Sequence, residues 1–256
     1  MCCARYLLNK KCVYRHIFTQ IRHFKLRSKV LSINKESINT YNSSCQGENT
    51  DNPNWKNYMS FCKSYENTSK HLMIRDMTVY ENFLTEDEEK SLHEEVEPYM
   101  KRMRYEFDHW DDAIHGYRET ERLHWNPKNT TVLQRVRDLA FPPGKPQLSL
   151  VHVLDLDEKG LIKPHIDSVR FCGNTIAGLS LLSDSVMRLV HDKKKDQVVD
   201  ILLKRRSLYI MTNTARYDFT HEILGADTSE FAGVKVPRRR RISIICRCEP
   251  EEKQEN

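Results

Sequence analysis

The clearest pattern in the sequence is a series of about eight short hydrophobic runs that follow Pro146. Polar or glycine-containing breaks separate the runs at fairly even spacing. This spacing is typical of the antiparallel strands of a sandwich or barrel rather than of a parallel sheet with intervening helices. The predicted strands are Leu148–Leu156, Leu161–Asp167, Thr175–Leu182, Val186–His191, Val198–Leu203, Leu208–Thr212, Arg216–Ile223 and Arg240–Arg247.

Two helices are predicted before these strands. Thr85 and Glu88 form a T-x-x-E capping box, and the hydrophobic residues Leu92 and Val96 then recur at helical spacing. A second helix is predicted for Thr130–Ala140. Helices followed by strands indicate an α+β, mainly β fold, a double-stranded β-helix (jelly roll) with N-terminal buttressing helices.

The N-terminal part of the chain differs in composition from the rest. Residues 1–35 contain nine Lys or Arg and no acidic residue, which is typical of a mitochondrial transit peptide. A disordered basic tail and a nucleic-acid-binding arm are the alternatives. Residues 36–70 are rich in Asn, Ser and Thr and predict a polar linker. We therefore expect the folded domain at 71–249 and an acidic tail at 250–256.

The positive charge of the chain is concentrated in that leader. The formal net charge is +5, but the residues after Lys35 carry 32 basic and 36 acidic side chains. A basic face for nucleic acid is therefore not expected on the folded domain. The longest charge-free run, Phe171–Ser183, has 13 residues and is too short for a transmembrane segment. None of the cysteines forms a C-x-x-C pair, which together with the leader predicts the reducing mitochondrial matrix.

Two histidines and an aspartate stand at positions that suit a metal site. His165 and Asp167 are two residues apart in a predicted strand, so their side chains would project from one face. His221 lies near the end of a later strand, and a jelly roll would bring both strands to one mouth. Two histidines and a carboxylate form the facial triad of non-haem Fe(II) oxygenases, which leaves positions open for a chelating co-substrate and O2. Taken alone, an H-x-D motif and a distant histidine also occur as structural residues.

The last predicted strand carries candidates for the binding of that co-substrate. By alternation Arg241, Ser243 and Arg247 share one face. Two inward guanidinium groups require an anion, and a dicarboxylate accepts the forked geometry of Arg. Tyr209 could add a phenolic hydrogen bond to the same carboxylate. The alternatives are a solvent-facing strand for the arginines and plain core packing for the tyrosine ring, and we assign Arg238–Arg240 to solvent.

Longer segments resemble the AlkB family of Fe(II)- and 2-oxoglutarate-dependent dioxygenases, and in particular its mitochondrial branch. The resemblance covers roughly Tyr80–Arg247 and includes the H-x-D, the distant His and the R-x5-R pattern. The similar segments read RYEFDHWDDAIHGYRETE, LVHVLDLDEKGLIKPHIDSVRFCGNTIAGLSLLS, VMRLVH and ARYDFTHEIL.

This resemblance implies an oxidoreductase whose cofactors are Fe(II), the co-substrate 2-oxoglutarate and O2. It implies that iron is bound by His165, Asp167 and His221. Arg241 would bind the distal carboxylate of 2-oxoglutarate, helped by Tyr209 and Ser243. Arg247 would lie closer to the end of 2-oxoglutarate that faces the metal. The implied reaction converts 2-oxoglutarate to succinate and CO2 while a C–H bond of the prime substrate is oxidised. A role in regulated (programmed) necrosis and in fatty-acid metabolism is implied as well.

The sequence departs from the nucleic-acid repair members of the family in two places. Their Asn-x-Tyr motif is absent, because the corresponding region reads Val151–Leu154, and Tyr209 is expected to compensate. The irregular segment Lys101–Trp125 has a net charge of −1, which predicts weak affinity for a polyanion. We therefore expect a protein or another non-duplex prime substrate and no duplex DNA. Methylated mitochondrial RNA as substrate, and a non-catalytic metal-bound interaction module, are the alternatives.

Overall fold

The computed structural model describes residues 54–107 and 113–250 of the chain. The predicted transit peptide (1–35) and nearly all of the predicted acidic tail (250–256) lie outside the described residues, so both stay predictions. In the two described ranges, no helix combines the length and the apolar character that a membrane crossing requires.

Ten strands form one antiparallel sheet that curls into a roll, and two short strands form a separate hairpin. The strands are β1 (Met59–Phe61), β2 (Met77–Tyr80), β3 (Ile114–Arg122), β4 (Val151–His165), β5 (Thr175–Leu181), β6 (Ser185–His191), β7 (Val198–Leu203), β8 (Leu208–Thr212), β9 (Phe219–Ile223), β10 (Glu230–Phe231), β11 (Val234–Lys235) and β12 (Arg241–Arg247). The order in the large sheet is β1-β7-β6-β9-β4-β12-β5-β8-β2, and β3 also pairs with β4. This topology is the predicted double-stranded β-helix.

β4 is the strand that joins the two halves of the roll. Its first half pairs with β12, whereas its last residue, His165, pairs with β9. The polar stretch between Leu148–Leu156 and Leu161–Asp167 predicts a break, but the structure has one continuous strand there. The ladder with β3 continues because glycines let the two backbones approach closely. A Cβ atom on Gly160 would meet the carbonyl oxygen of Gly116 at 2.5 Å.

Hydrophobic side chains form two main clusters on opposite faces of the large sheet. The inner cluster fills the roll and includes Leu156 and Ile223. The outer cluster includes Val153 and Ile244 and is covered by helices. Successive side chains of β12 point to opposite faces of the sheet, so Ile244 belongs to the outer cluster and Ile245 to the inner one. The strands β5 and β12 are therefore buried on both faces, which fixes the direction of their side chains near the site.

Helices flank the sheet, and two of them form the predicted buttress. The helices are α1 (Asn67–Asp76), α2 (Glu86–Met100), α3 (Pro127–Ala140) and the short α4 (Asn213–Tyr217). α2 and α3 cover the outer cluster, whereas the buried hydrophobic residues of α1 and α4 belong to the inner one. At the start of α2, the Glu88 amide donates to the Thr85 hydroxyl and the Thr85 amide donates to the Glu88 carboxylate. The predicted capping box is thus present. α3 begins three residues before the predicted Thr130, because Asn126 accepts from the Asn129 amide as its N-cap.

The fold begins earlier than the sequence pattern indicates. Strand β1 pairs with β7, and Tyr58 and Tyr65 are buried in the inner cluster. The predicted end of the linker at Lys70 is therefore wrong, because residues 54–70 belong to the folded domain. The hydrophobic residues here are separated by polar Asn, Ser and Lys, so no regular period marks the short strand.

Two predictions of local structure are wrong as well. The segment Lys101–Trp125, which the sequence predicts to be irregular, contains the nine-residue strand β3. Arg216, predicted to begin a strand, lies in α4 instead. In both places charged side chains that look exposed in the sequence find partners across the fold. The Arg118 Nε–H, for example, donates to Asp155 at 2.7 Å.

The basic run at 238–241 is only partly exposed, contrary to the assignment of Arg238–Arg240 to solvent. Arg238 is buried and its Nη1 donates to the carbonyl oxygen of Leu224 at 2.6 Å. Arg240 forms ion pairs with Glu97 and Asp155. Only Arg239 is exposed as predicted. Carbonyl oxygen around Arg238 and carboxylate oxygens around Arg240 compensate the loss of water around the two guanidinium groups.

Candidate metal and co-substrate site

The three predicted metal ligands come together at one end of the roll. His165 is the last residue of β4, and its register partner on β9 is His221. Asp167 does not continue the strand as predicted, but lies two residues past its end. The turn nevertheless brings its carboxylate back, so that one ligand atom from each of the three residues lies within 4.8 Å of the others. The His165 Nε2 atom is 3.3 Å from Asp167 Oδ1, and the His221 Nε2 atom is 3.9 Å from it.

The ring of His165 is oriented by the main chain beside it. Its Nδ1 atom lies 2.9 Å from the carbonyl oxygen of Lys163. Because a carbonyl oxygen only accepts, Nδ1 carries the proton and donates, and the Nε2 atom faces Asp167. A hydrogen bond of this kind behind a ligating imidazole is common in metal sites, where it fixes the tautomer and the ring orientation.

Charges around the site favour the protonation states that a metal ion requires. Burial by itself raises the pKa of the Asp167 carboxyl, but the hydrogen bond from His165 and the charge of Arg247 hold that pKa well below its usual range. Burial and the neighbouring His165 lower the pKa of His221 to about 3. An ionised carboxylate and a neutral imidazole are the forms that bind divalent metals. Arg247 contributes directly, because its Nε lies 3.7 Å from Asp167 Oδ2.

Arg241 lies fully inside the roll and faces no carboxylate among the residues that the structure describes. Its side chain is 2% exposed, and it donates to the hydroxyl groups of Ser243 and Ser180, the latter at 2.9 Å. Burial and the nearby Arg238 lower the pKa of Arg241 to about 10, and its Nε has no hydrogen-bond partner. A buried cation with hydroxyl partners and an unused donor fits an anionic ligand.

Tyr209 extends the polar lining between Arg241 and the metal end. The ring is buried opposite Gly178 on β5, and burial raises the pKa of its phenol to about 12. The phenol therefore stays protonated and is able to donate. A Cβ atom on Gly178 would lie 2.7 Å from the phenolic oxygen, so only glycine leaves space for the ring. Besides burial, the charges of Arg241 and Arg247 lower this pKa, and the charge of Asp167 raises it.

All seven predicted site residues thus lie in one region of the fold. The sequence analysis did not identify Ser180, which is the register partner of Ser243. A signal was present, because alternation in β5 puts Ala177 and Leu179 in the outer cluster and leaves Gly178 and Ser180 on the inner face. Small and polar residues on an inner face indicate a place that hydrophobic packing does not fill.

The chain is similar to several known proteins. A family model described as the 2OG-Fe(II) oxygenase superfamily matches residues 76–247. The "Alpha-ketoglutarate-dependent dioxygenase alkB homolog 7, mitochondrial" of Mus musculus is 56% identical over 179 residues, which cover 70% of this chain and 81% of the mouse protein. The Bos taurus protein of the same name is 56% identical over 169 residues, or 66% of this chain and 76% of the bovine one. A solved Pseudomonas putida prolyl-4-hydroxylase aligns with a TM-score of 0.49 and 12% identity over 72% of this chain and 97% of that one.

Proposed function

The chain belongs to the 2OG-Fe(II) oxygenase superfamily and within it to the AlkB family, and we propose from this premise that His165, Asp167 and His221 bind the iron of a mitochondrial dioxygenase. The cofactors of the superfamily are Fe(II), 2-oxoglutarate and O2. Bound iron would supply the oxidative chemistry that couples decarboxylation of 2-oxoglutarate to oxidation of a C–H bond in the prime substrate. The donor set of two imidazoles and one carboxylate suits Fe(II) and leaves three positions for other ligands.

The protein's own residues then hold the co-substrate in place. We assign the distal carboxylate of 2-oxoglutarate to the Arg241 guanidinium, with the Ser243 hydroxyl and the Tyr209 phenol as further donors. Arg247 lies at the other end, beside Asp167, where it offsets negative charge next to the metal. The hydrophobic inner cluster lies around the Arg241 end, while the metal end stays partly open, because the side chains of His165 and Asp167 are 26% and 19% exposed.

The observation that carries this assignment is the buried guanidinium of Arg241, which no protein carboxylate in the described ranges neutralises. Binding of 2-oxoglutarate to the Mn(II)-loaded protein tests it directly by calorimetry. We expect one dicarboxylate per chain, and we expect Ser243→Ala and Tyr209→Phe to weaken binding less than replacement of Arg241. Equal affinity in all variants would show that the co-substrate binds elsewhere.

For the prime substrate we propose a protein or another non-duplex molecule. Support comes from the basic run at 238–241, of which Arg238 and Arg240 are held in intramolecular contacts and only Arg239 is exposed. Counterion release from a nucleic-acid backbone would therefore be small. Methylated mitochondrial RNA is the second candidate, because an unpaired base needs no extrusion from a duplex.

Competition between the two candidate substrate pools decides this question. Mitochondrial protein and RNA extracts are incubated together with the iron-loaded enzyme, and mass spectrometry follows oxygen gained by peptides and methyl groups lost from nucleosides. The His165→Ala variant serves as the control for background oxidation. We expect peptides to gain oxygen, whereas methyl loss from RNA alone would overturn the preference for protein. Failure of any molecule to turn over would favour the non-catalytic interaction module.

We also propose that the chain works in the mitochondrial matrix. The acid-free basic leader at 1–35 supports import, and both mammalian relatives carry the word mitochondrial in their names. A tagged full-length chain is expected in the matrix, and deletion of residues 1–35 is expected to leave it in the cytosol. A distribution that ignores this deletion would contradict the proposal.

A role in programmed necrosis and fatty-acid metabolism is the last part of the proposal, and it rests on the family resemblance alone. Cells in which the His165→Ala variant replaces the wild-type chain are scored for necrotic death and for fatty-acid oxidation. We expect both to change, because the variant would lose its iron. If neither readout differs from that of wild-type cells, this role is wrong.

A further inference from the structure

Arg216 is a fully buried arginine that the proposed reaction does not use. Its side chain is 0% exposed, and no carboxylate partner for it is found in the described residues. Its Nη1 is buried without a hydrogen-bond partner. Arginine is almost never fully buried without a specific reason, since desolvation of the charge is costly. The contacts of the Arg216 side chain therefore indicate its role in the fold.

The hydrogen bonds of the Arg216 guanidinium lie on the turn that follows Asp167, and its face lies 5.0 Å from the centre of the neighbouring Tyr217 ring. The Nε–H of Arg216 donates to the carbonyl oxygen of Gly173 at 3.3 Å. Its Nη2 donates to the carbonyl oxygen of Cys172 at 3.4 Å and contacts the Cys172 sulfur at 3.2 Å. The guanidinium thus holds the far end of this turn by two main-chain oxygens and one side chain.

Hydrogen bonds within the turn connect the part that Arg216 binds to the residue next to Asp167. The amides of Phe171 and Cys172 both donate to the carbonyl oxygen of Ser168, at 3.0 and 3.2 Å. Ser168 follows Asp167 directly, so these bonds close the turn at the residue next to the ligand. A second anchor lies at the far end, where the Gly173 amide donates to the carbonyl oxygen of Cys248. The position of the Asp167 carboxylate depends on where this turn is fixed.

Arg216 itself stands on the element that leads to the third ligand. It lies in α4, and β9 with His221 follows after a single connecting residue. The start of α4 is fixed in turn, because the Thr214 amide donates to the buried carboxylate of Asp76 at 3.1 Å. One guanidinium therefore connects the segment that carries Asp167 to the segment that carries His221.

We propose that Arg216 is a positioning residue that sets the separation between Asp167 and His221 and thereby the metal affinity of the site. This inference rests on the proposed function of these two residues as iron ligands. Arginine suits the task because its planar fork reaches the Cys172 and Gly173 oxygens at once, whereas the ammonium of lysine is a single point charge. The competing explanation is that Arg216 contributes only to the general stability of the domain.

The test compares Arg216→Met with Arg216→Lys and with a control, Arg135→Met. Arg135 links Glu88 and Phe83 on the helical side of the domain and has no contact with the turn. The probe is Mn(II) alone, titrated into the full chain and followed by the loss of the free-ion electron paramagnetic resonance signal. We expect Arg216→Met to raise the dissociation constant about 10-fold or more, Arg216→Lys to lie between it and wild type, and Arg135→Met to bind as wild type does.

The pattern of hydrogen exchange distinguishes a local effect at the turn from general destabilisation of the domain. In the metal-free Arg216→Met protein, we expect the amides of Phe171 and Cys172 to exchange faster, while that of Ile244 in β12 keeps its wild-type rate. Uniform acceleration at all three amides would mean general destabilisation and would overturn the proposal. If Arg216→Met does not fold, Arg216→Lys with unchanged metal affinity and unchanged exchange at the turn would overturn it.

The outcome also separates this inference from the function on which it rests. If the wild-type chain and His165→Ala bind Mn(II) equally, the metal site itself is wrong. If His165→Ala loses binding while Arg216→Met retains it in full, the metal site stands and only the role of Arg216 is refuted.

Discussion

At the scale of single residues, Arg241 should have opposite effects on stability and on binding. Its guanidinium is desolvated without a protein carboxylate nearby, and burial lowers its pKa to about 10. We predict that Arg241→Met raises the free energy of unfolding of the co-substrate-free protein by about 1–3 kcal/mol, because a buried cation gives way to an apolar chain. The same change should weaken 2-oxoglutarate binding at least about 30-fold, equivalent to about 2 kcal/mol.

Chemical denaturation without co-substrate and calorimetry with it measure the two effects on one pair of proteins. Arg239→Met is the matched control, because its side chain is exposed two residues earlier in the chain. Neither stability nor binding should change in that control. A destabilised Arg241→Met protein that still binds 2-oxoglutarate would contradict the assignment of Arg241 to an anion.

Gly178 gives a second prediction at this scale. An added methyl group would meet the ring of Tyr209, with the phenolic oxygen 2.7 Å away. Gly178→Ala should therefore displace the phenol, raise the KM for 2-oxoglutarate and destabilise the fold by about 1–3 kcal/mol. In a Tyr209→Ala background the same change should cost less, since the collision is absent. Equal destabilisation in both backgrounds would show that Tyr209 does not limit the space at Gly178.

At the scale of elements, an ion-pair network fastens α2 to the start of β12. The Arg240 Nη1 donates to Glu97 at 3.0 Å, and its Nε donates to the fully buried Asp155 at 3.0 Å. The hydrogen bond from Arg240 lowers the pKa of Glu97 from 4.5 to about 2, with smaller contributions from Lys101 and His93. A carboxyl whose pKa is lower in the folded than in the unfolded state stabilises the fold above its usual pKa.

Because the pKa of Glu97 is lowered in the folded protein, its contribution to stability should depend on pH, and a variant can test this. Glu97→Gln should destabilise the protein at pH 7, and the difference from wild type should shrink as the pH falls from about 4.5 towards 2. Urea denaturation at several pH values measures it. Glu94→Gln in the same helix is the control, because Glu94 is exposed and its distance to Lys90 is 3.9 Å. A difference between Glu97→Gln and wild type that is the same at pH 7 and pH 3 would contradict the prediction.

The elements also show what can and cannot be predicted from this sequence. The short hydrophobic runs predict β7 (Val198–Leu203) and β8 (Leu208–Thr212) with their observed bounds, because buried residues alternate in β7 and fill both faces of β8. β3 is not predicted, because its charged side chains find partners on β4, as in the ion pair of Arg118 with Asp155. Partners that lie far away in the sequence leave no local signal.

At the scale of the whole molecule, closure of the roll is what makes the site. β4 belongs to both halves of the sheet, so its last residue, His165, reaches β9 while its first half pairs with β12, which carries the arginines. Residue types and spacing are sufficient to nominate the metal and co-substrate residues. They do not reveal the turn after His165 or the guanidinium that holds it, because those depend on contacts of α4 with a segment more than 40 residues away.

The charge of the chain is unevenly distributed between the leader and the rest. The leader at 1–35 carries nine basic residues, while the remainder has 32 basic against 36 acidic ones. Within the folded part, Arg238, Arg240 and Arg241 are turned to carbonyls, carboxylates and the candidate co-substrate site. Net charge by itself would suggest affinity for nucleic acid, whereas these three arginines form contacts inside the fold.

The most direct test of the central claim is the iron-dependent conversion of 2-oxoglutarate to succinate by the purified chain. Fe(II) is loaded without oxygen, O2 is admitted, and succinate is measured over time with and without mitochondrial extract. We predict that the wild-type protein forms succinate, that His165→Ala and Asp167→Ala lose this turnover, and that His152→Ala, whose side chain pairs with Glu119 instead, retains it. Succinate formation that persists without His165 or Asp167, or its absence from the iron-loaded wild type, would contradict the account.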